Sequence, residues 1–431
     1  MMGEMSDQPT LHFFARALIL HPTRDLVLLQ DGKVPEREHS SSLYMGNLVS
    51  SIFASCGPLV YLQRLSLNRQ QLAENEWNVH YVFALVAASP EAPEGFFWAS
   101  PDELPEDLQP LAERALQPSP LVPWQARGWM EQALNWTDQV LGALGRSRTG
   151  QPEMIKAWQI SVLYRIPTSE GPVYLKQVPA FFAREGLLTS WLHTLNAGAA
   201  PEVLALDPEH HRFLMAGAGN DPVGPDKAIS AVKLFATVQR QTEHHHEHLL
   251  EVGCLDRRCK VLKEQVRELF ADDAALGIRN LLSAEEQQTL KTALPGLEQL
   301  LDDLHNSPIP TTLIHGDLHL GNVISAGDSL TFLDWSDGAL GHPFLDLNSE
   351  YLLESEDPAA HQSLIDSYLE HWTDLLPLEE LRILHKKAVR AGELHRAVSY
   401  HRHIIPGVPD RSEWEDAHIE HLQNLLKLLN T

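Results

Sequence analysis

A chain of 431 residues, 43% hydrophobic and 21% charged, has room for two or three domains and the composition of a globular protein. Its formal charge of −25 excludes the basic footprint that a nucleic-acid partner requires, and leaves solubility or a cationic small molecule as readings of the acidity. No apolar run approaches the roughly 18 to 20 residues that cross a bilayer, and three cysteines (Cys56, Cys254, Cys259) form neither a disulfide framework nor a metal spacing.

The beginning of the chain, from Met1 to Asp7, is acidic and has no basic n-region or apolar core, so the cytoplasm is the expected compartment and no membrane partner is expected. In chain order, β-type patterning falls on residues 13–20, 26–30, 59–65 and 78–88, the last rich in Val, Tyr and Phe. Pro101, Pro105, Pro110, Pro118, Pro120 and Pro123 then crowd a stretch that neither a helix nor a central strand tolerates, which predicts the main boundary. Residues 124–144 have helical periodicity. Strands are expected at 158–166 and 173–178, joined by Pro167-Thr-Ser-Glu-Gly-Pro172, which is hairpin chemistry. Residues 181–196 read as a helix and 213–215 as a short strand; 226–304, and 344 to the end, read as helical. Within the first of these, His244 and His248 lie four apart on one helix face. They lack a third ligand and a general-base glutamate, which favours a polar face over a metal site. Oligomeric state leaves no signal in the sequence.

The segment with chemistry in it is Thr311-Thr-Leu-Ile-His315-Gly-Asp317-Leu-His319-Leu-Gly-Asn322, followed by Leu330-Thr-Phe-Leu-Asp334-Trp335. Phosphoryl transfer needs a carboxylate at the acceptor hydroxyl, oxygen ligands for Mg²⁺ and cations at the polyphosphate. Asp317 stands five residues before Asn322, the offset of the Asp and Asn in a protein-kinase catalytic loop, and Asp334 follows a short apolar strand where a second metal carboxylate belongs. Hard Mg²⁺ prefers these oxygens to the neighbouring imidazoles.

His-Gly-Asp-x-His-x-x-Asn, then Asp-Trp, then Gly341-His-Pro343-Phe-Leu-Asp346-Leu, resembles the aminoglycoside phosphotransferase and choline kinase-like family, from about Trp124 onward. The resemblance implies that Asp317 is the catalytic base, that Asn322 and Asp334 bind Mg²⁺, that His315 and His319 shape the loop, and that Asp346 anchors it. It also implies an ATP-binding lobe upstream. Lys176, at the end of Val-Tyr-Leu-Lys, has the form of the kinase third-strand lysine. Glu185, the only acid between Lys176 and Pro201, is its expected helical partner. Leu214, Met215 and Ala216 fall at the hinge where adenine would meet backbone. The Pro167–Pro172 hairpin is not a Gly-x-Gly-x-x-Gly loop, and Thr168 and Ser169 are its expected phosphate contacts. Asp337, Glu350, Tyr400 and Arg402 are candidate acceptor contacts. The N-terminal strands, with Phe96-Phe-Trp98-Ala-Ser-Pro-Asp-Glu103-Leu, resemble a Nudix hydrolase domain. Residues 46–57, where its metal-binding carboxylates belong, hold no acid.

The expected fold is therefore α+β: a degenerate Nudix-like α/β domain (1–105), a Pro-rich linker (106–125), and a two-lobed protein-kinase-like domain with a small β-rich lobe (126–216) and a large helical lobe (217–431). The expected activity is ATP- and Mg²⁺-dependent transfer of the γ-phosphate to a hydroxyl of a small molecule of aminoglycoside, sugar or amino-alcohol type. The rival readings are a kinase-fold binding or regulatory protein without turnover, disfavoured by the intact Lys176, Asp317, Asn322 and Asp334 set, and a Nudix hydrolase, disfavoured by the missing carboxylates.

Overall fold

The alternating and then unbroken apolar pattern of Thr10–Leu20 makes it the centre of the first sheet: polar at one end, and fully buried from Ala17 to Leu20. In the computed structural model, which describes residues 10–39, 46–73, 75–219, 221–353 and 355–430, this strand pairs parallel with Glu76–Ala87 and antiparallel with Val27–Gln30 and Glu36–His39. Leu59–Ala73 and Phe96–Ala99 complete the sheet at its two edges. The acidic start from Met1 to Asp7 lies outside the described residues. Contacts divide the chain into two units, Met1–Gln177 and Val178–Thr431.

The proline-rich stretch is not an open linker. It carries the helix Gln109–Leu116, and Leu104, Leu108, Ala112 and Ala115 are buried in the core of the first sheet with Leu18, Leu29 and Leu65. Pro110, in the first turn of that helix, costs little, because its missing N–H would lack an intrahelical partner there anyway. The division of the chain accordingly falls later than the prolines suggest. The first unit continues through the helix Trp129–Ala143 into an antiparallel meander of Glu153–Ala157, Val162–Ile166 and Val173–Gln177. The span 126–216 thus straddles the two units.

The second unit is mostly helical. It starts with the helix Arg184–Leu195 and the hairpin Val203–Asp207/Arg212–Ala216, closed by His211 at positive φ and by the Asp207–Arg212 ion pair at 2.7 Å. Helices Ala228–Gln241, Cys259–Ala271, Ala284–Asn306, Pro358–Leu369, Leu378–Ser399 and Ala417–Leu429 bury one apolar stripe each in a common core that includes Trp335, Phe344 and Trp372. Two corrections apply to the helical reading. Leu255–Arg257 is a strand, parallel to Ala339–Gly341, which also pairs antiparallel with Thr312–Ile314. Pro343–Asp346 and Ser349–Tyr351 are short 3₁₀ turns capped by the His342 and Asn348 side chains, and a continuous helix starts only at Pro358, capped by Asp357. His245 and His248 pack on Trp191, with ring centroids 5.3 and 4.9 Å away, and His246 reaches the Thr311 carbonyl at 2.7 Å, so this histidine run is structural. Among the described residues no helix is long and apolar enough to cross a membrane.

Candidate active site

Thr312–Ile314 is fully buried, and the chain leaves it directly into the loop that holds Asp317. Two backbone donors at the bend would be stranded in the interior, and Asp346 answers both. Its carboxylate accepts from the His315 N–H at 2.5 Å and from the Gly316 N–H at 2.9 Å. Gly316 is required here: its φ is +86°, and a Cβ would meet the Asp337 Cβ and carbonyl at 2.7 Å. The His315 ring is fully buried against Trp335, centroids 4.6 Å apart. Its Nε2–H donates to the Leu333 carbonyl at 2.8 Å, which leaves Nδ1 to accept from the Asp317 N–H at 3.3 Å. One imidazole therefore ties the Asp317 loop to the Asp334 strand. Asp346 and His315 thus hold the backbone around Asp317.

Asp317 itself is 59% exposed, with His319 Nε2 3.6 Å from Oδ2. Desolvation in the loop pulls its carboxyl upward. The hydrogen bond and charge of His319, with His315 and Arg396 behind them, outweigh that and hold it below the usual aspartate range. At neutral pH it is an ionised carboxylate, acceptor-only. Asn322 turns back onto it, its amide nitrogen donating to the Asp317 carbonyl at 3.0 Å, so Oδ1 is the atom presented away from the loop. The Leu333 N–H donates to the Asn322 carbonyl at 2.8 Å, which brings Asp334 to the same end of the Val323–Ala326/Ser329–Phe332 hairpin. Asp334 adopts φ 60°, ψ 61°, a left-handed conformation that a non-glycine residue holds only when its surroundings impose it. The imposing element is Trp335, fully buried, whose Nε1–H donates to the Ala199 carbonyl at 2.9 Å. The donor set of one carboxylate and one amide oxygen fits a Mg²⁺ ion that keeps water and substrate in its other positions.

Asp337 stands behind the loop. Burial raises its carboxyl, and the neighbouring Asp317 and Asp334 charges add to this; Arg184 and Arg257 oppose them, and it comes to rest at about 7. Tyr400 stacks on Trp414 and His421 and feels the Asp317 and Asp337 charges, whereas Arg402 is paired with Glu268. Glu350 is 76% exposed and faces His361 at 3.8 Å; among the described residues nothing links it to Asp317. Leu214 is fully buried, and the Ala216 N–H is spent on the Glu202 carbonyl, so of the three hinge positions Met215 and Ala216 retain partial exposure.

In the first unit, Lys176 is buried on the third strand of the meander; in the second, Glu185 is buried on the first turn of its helix, and neither is without a partner. The strand Glu153–Ala157 corrects the phosphate-loop reading. With the lysine on the third strand, the loop between the first and second is Trp158–Ser161, and Pro167–Pro172 joins the second to the third. The hydroxyls of the later turn are engaged locally, Thr168 with the Gly171 carbonyl and Ser169 with the Ser147 N–H.

A sequence model described as a phosphotransferase enzyme family matches residues 161–381, just over half of the chain. The chain belongs to that family. The matched span contains Lys176, Glu185, the hinge and the whole His315–Asp346 segment, and stops short of Tyr400 and Arg402. No curated protein matches. Solved structures similar to it include a choline/ethanolamine kinase family protein from Mesorhizobium loti, 14% identical at a TM-score of 0.47, covering 68% of this chain and 95% of the other. They also include choline kinase from Cryptosporidium parvum, 11% identical at 0.48 over 70% and 96%. A third is the GDP complex of aminoglycoside 2'-phosphotransferase-IIIa, 14% identical at 0.48 over 69% and 99%. No family or structure in these comparisons supports the Nudix resemblance of the N-terminal strands.

Three residues whose charge reaches this candidate site carried no signal in the sequence. Arg184, Arg257 and Arg396 are at most 7% exposed, and each exerts its charge on Asp317 or Asp337. They lie on three separate elements at no common spacing, which no motif describes.

Proposed function

We propose that this phosphotransferase moves the γ-phosphate of ATP to a hydroxyl of a small molecule, with Asp317 as the base. The observation that carries the reading is the arrangement of the loop: Asp317 stays ionised and exposed while Asp346, His315 and Asn322 fix the backbone on both sides of it. The Asp317 carboxylate accepts the hydrogen bond of the incoming hydroxyl, aligns its oxygen, and takes its proton as the phosphoryl group crosses. A loose transition state asks little basicity of that carboxylate, so its lowered pKa suits an orienting base. Asn322 and Asp334 would hold Mg²⁺, which would neutralise charge between the β- and γ-phosphates. Lys176 would meet the α- and β-phosphates, and the backbone beyond Leu214, at Met215 and Ala216, would meet the adenine. The test is transfer of label from γ-labelled ATP with Mg²⁺ to a panel of sugars, amino alcohols and aminoglycosides; no labelled product from any of them, with nucleotide binding intact, contradicts the reading.

The first unit is assigned no hydrolysis, whether or not its strands are Nudix-like. Its helix Gly46–Ile52 has no acidic residue in the first turn, and no acid lies between residues 46 and 57 to hold a catalytic metal. The full chain with Mg²⁺ or Mn²⁺ should therefore release no phosphate or nucleotide from nucleoside diphosphate derivatives; chelator-sensitive release would overturn this.

A further inference from the structure

Arg396, Arg184 and Arg257 are buried cations that exert their charge on Asp317 or Asp337. Arg396, on the helix Leu378–Ser399, is 7% exposed, and its guanidinium lies 4.5 Å from the Tyr351 ring centroid. It makes no hydrogen bond among the described residues, although its charge acts on Asp317, Asp346 and Glu393. The side chain is buried, but its nitrogens keep some access to solvent, so the five N–H donors of the guanidinium remain open to a ligand.

The carboxylates around it offset part of its charge but take none of its N–H donors. Glu393, 1% exposed, lies one turn before Arg396 and spends its carboxylate elsewhere. It accepts from the Tyr351 hydroxyl at 3.1 Å and from the Asn348 side-chain amide at 3.2 Å, and meets His421 Nδ1 at 2.9 Å. These bonds fix the Tyr351 ring under the guanidinium. Gly392 seats the helix itself against the catalytic segment, since a Cβ there would lie 2.4 Å from the Leu345 carbonyl.

Two further arginines reinforce the field. Arg184 is 6% exposed; one nitrogen donates to the Phe181 carbonyl at 2.7 Å, while Nε and Nη2 are buried without a hydrogen-bond partner. Arg257 is 1% exposed and bonded to Gln265 and Ser399, with Nε unpartnered. Both exert their charge on Asp337, which packs on Gly316 of the loop, where an added Cβ would meet the Asp337 Cβ at 2.7 Å. Three buried arginines, charged at any physiological pH, thus act on Asp337 or Asp317.

We propose that the acceptor carries an anionic group (a carboxylate, phosphate or sulfate) beside the hydroxyl it offers, and that Arg396 binds that group. The proposal rests on the phosphotransferase reading above and names its substrate class. Guanidinium and oxyanion match in shape and charge, and the pairing would give Arg396 the hydrogen bonds that it lacks among the described residues. Arg396 lies beyond residues 161–381, outside the segment matched by the family as a whole.

The test uses the full chain, ATP and Mg²⁺ with matched acceptors: glycerol, glycerate and glycerol phosphate; glucose, glucuronate and glucose phosphate; and the cations ethanolamine, choline and kanamycin. Binding of each is followed by calorimetry alongside turnover, and thermal melts confirm folding of the variants. An anionic member of a set should bind and react at least roughly 10-fold better than its neutral partner. Arg396→Gln should erase that preference by raising KM about 10- to 100-fold, the size of a hydrogen bond to a charged group, and Arg396→Lys should restore part of it. Anion binding that depends on Arg396 without any phosphoryl transfer would sustain this inference and refute the phosphotransferase reading. Turnover of neutral or cationic acceptors, untouched in Arg396→Gln or Arg396→Lys, would overturn the inference and leave that reading standing. Absence of Arg396-dependent anion binding overturns it in every case.

Discussion

Replacing Asp346 by alanine removes the acceptor for two buried backbone N–H groups, those of His315 and Gly316. A buried donor left unpaired costs about 1 to 3 kcal/mol, so the pair costs roughly 2 to 6. Part of this is returned. Burial pushes the Asp346 carboxyl above its usual range, against His315, Arg396 and the two backbone bonds, so its removal relieves some desolvation. A net loss of about 2 to 4 kcal/mol remains. Because the defect is local, amide exchange reads it better than global unfolding, which is not a single transition in a chain of two units. Protection of the residue 312–318 peptide should fall roughly 30- to 1,000-fold, since each 1.4 kcal/mol is a factor of ten. kcat should fall with it, by about 10²-fold for a displacement of about 1 Å at Asp317. Asp346→Asn keeps one acceptor oxygen and should lie between the two. Unchanged protection and kcat in Asp346→Ala would show that the carboxylate does not hold the loop.

Three other outcomes are expected. Asp334→Ala should abolish Mg²⁺-dependent ATP binding in calorimetry, whereas His315→Ala should weaken turnover without abolishing it; unaltered Mg-ATP affinity in Asp334→Ala would mean the metal site lies elsewhere. Lys176→Met should raise KM for ATP and lower kcat together, Glu185→Gln should do the same more mildly, and the double variant should be little worse than Lys176→Met. Strictly additive effects in that cycle would show that the two do not act as a pair. Asp337 gives a pH signature: burial and the Asp317 and Asp334 charges lift its carboxyl from 3.8 to about 7, so the folded chain keeps a proton that the unfolded chain has lost. Between those values the folded state binds more protons, and stability falls as pH rises through the window. In chelator and without nucleotide, the advantage of Asp337→Asn over the parent in melting temperature should be larger at pH 8 than at pH 5; equal gaps at both pH values would refute the assignment.

The site was legible where its chemistry is contiguous. His315, Asp317, Asn322 and Asp334 fall within twenty residues, and turn-rich polar sequence between short apolar strands has few uses besides a catalytic loop. The strand Glu153–Ala157 was hidden because only Met154 in it is buried, leaving no alternation to detect. Leu255–Arg257 is three residues long inside a helical period, and its place is set by pairing with Ala339–Gly341 more than eighty residues away. Residues 344–357 were read as helix from their apolar content, yet side chains of His342 and Asn348 cap short 3₁₀ turns there. The proline stretch misled in the opposite sense, since its alanines and leucines form part of a core that only the sheet makes visible. Arg396, Tyr351, Glu393 and His421 form one network from three separate segments, and such networks leave no trace in spacing.

The most direct test of the account is single-turnover phosphoryl transfer by Asp317→Asn beside the parent, with Mg-ATP and whichever acceptor the parent labels. Asp317→Asn preserves the size of the side chain and its place in the loop but removes the carboxylate. The chemical step should slow by roughly 10²- to 10⁴-fold while Mg-ATP affinity changes little, because Asp317 meets the acceptor and not the nucleotide. A chemical step in Asp317→Asn as fast as the parent's would contradict the assignment of the base, and with it the reading of the loop from His315 to Asp346.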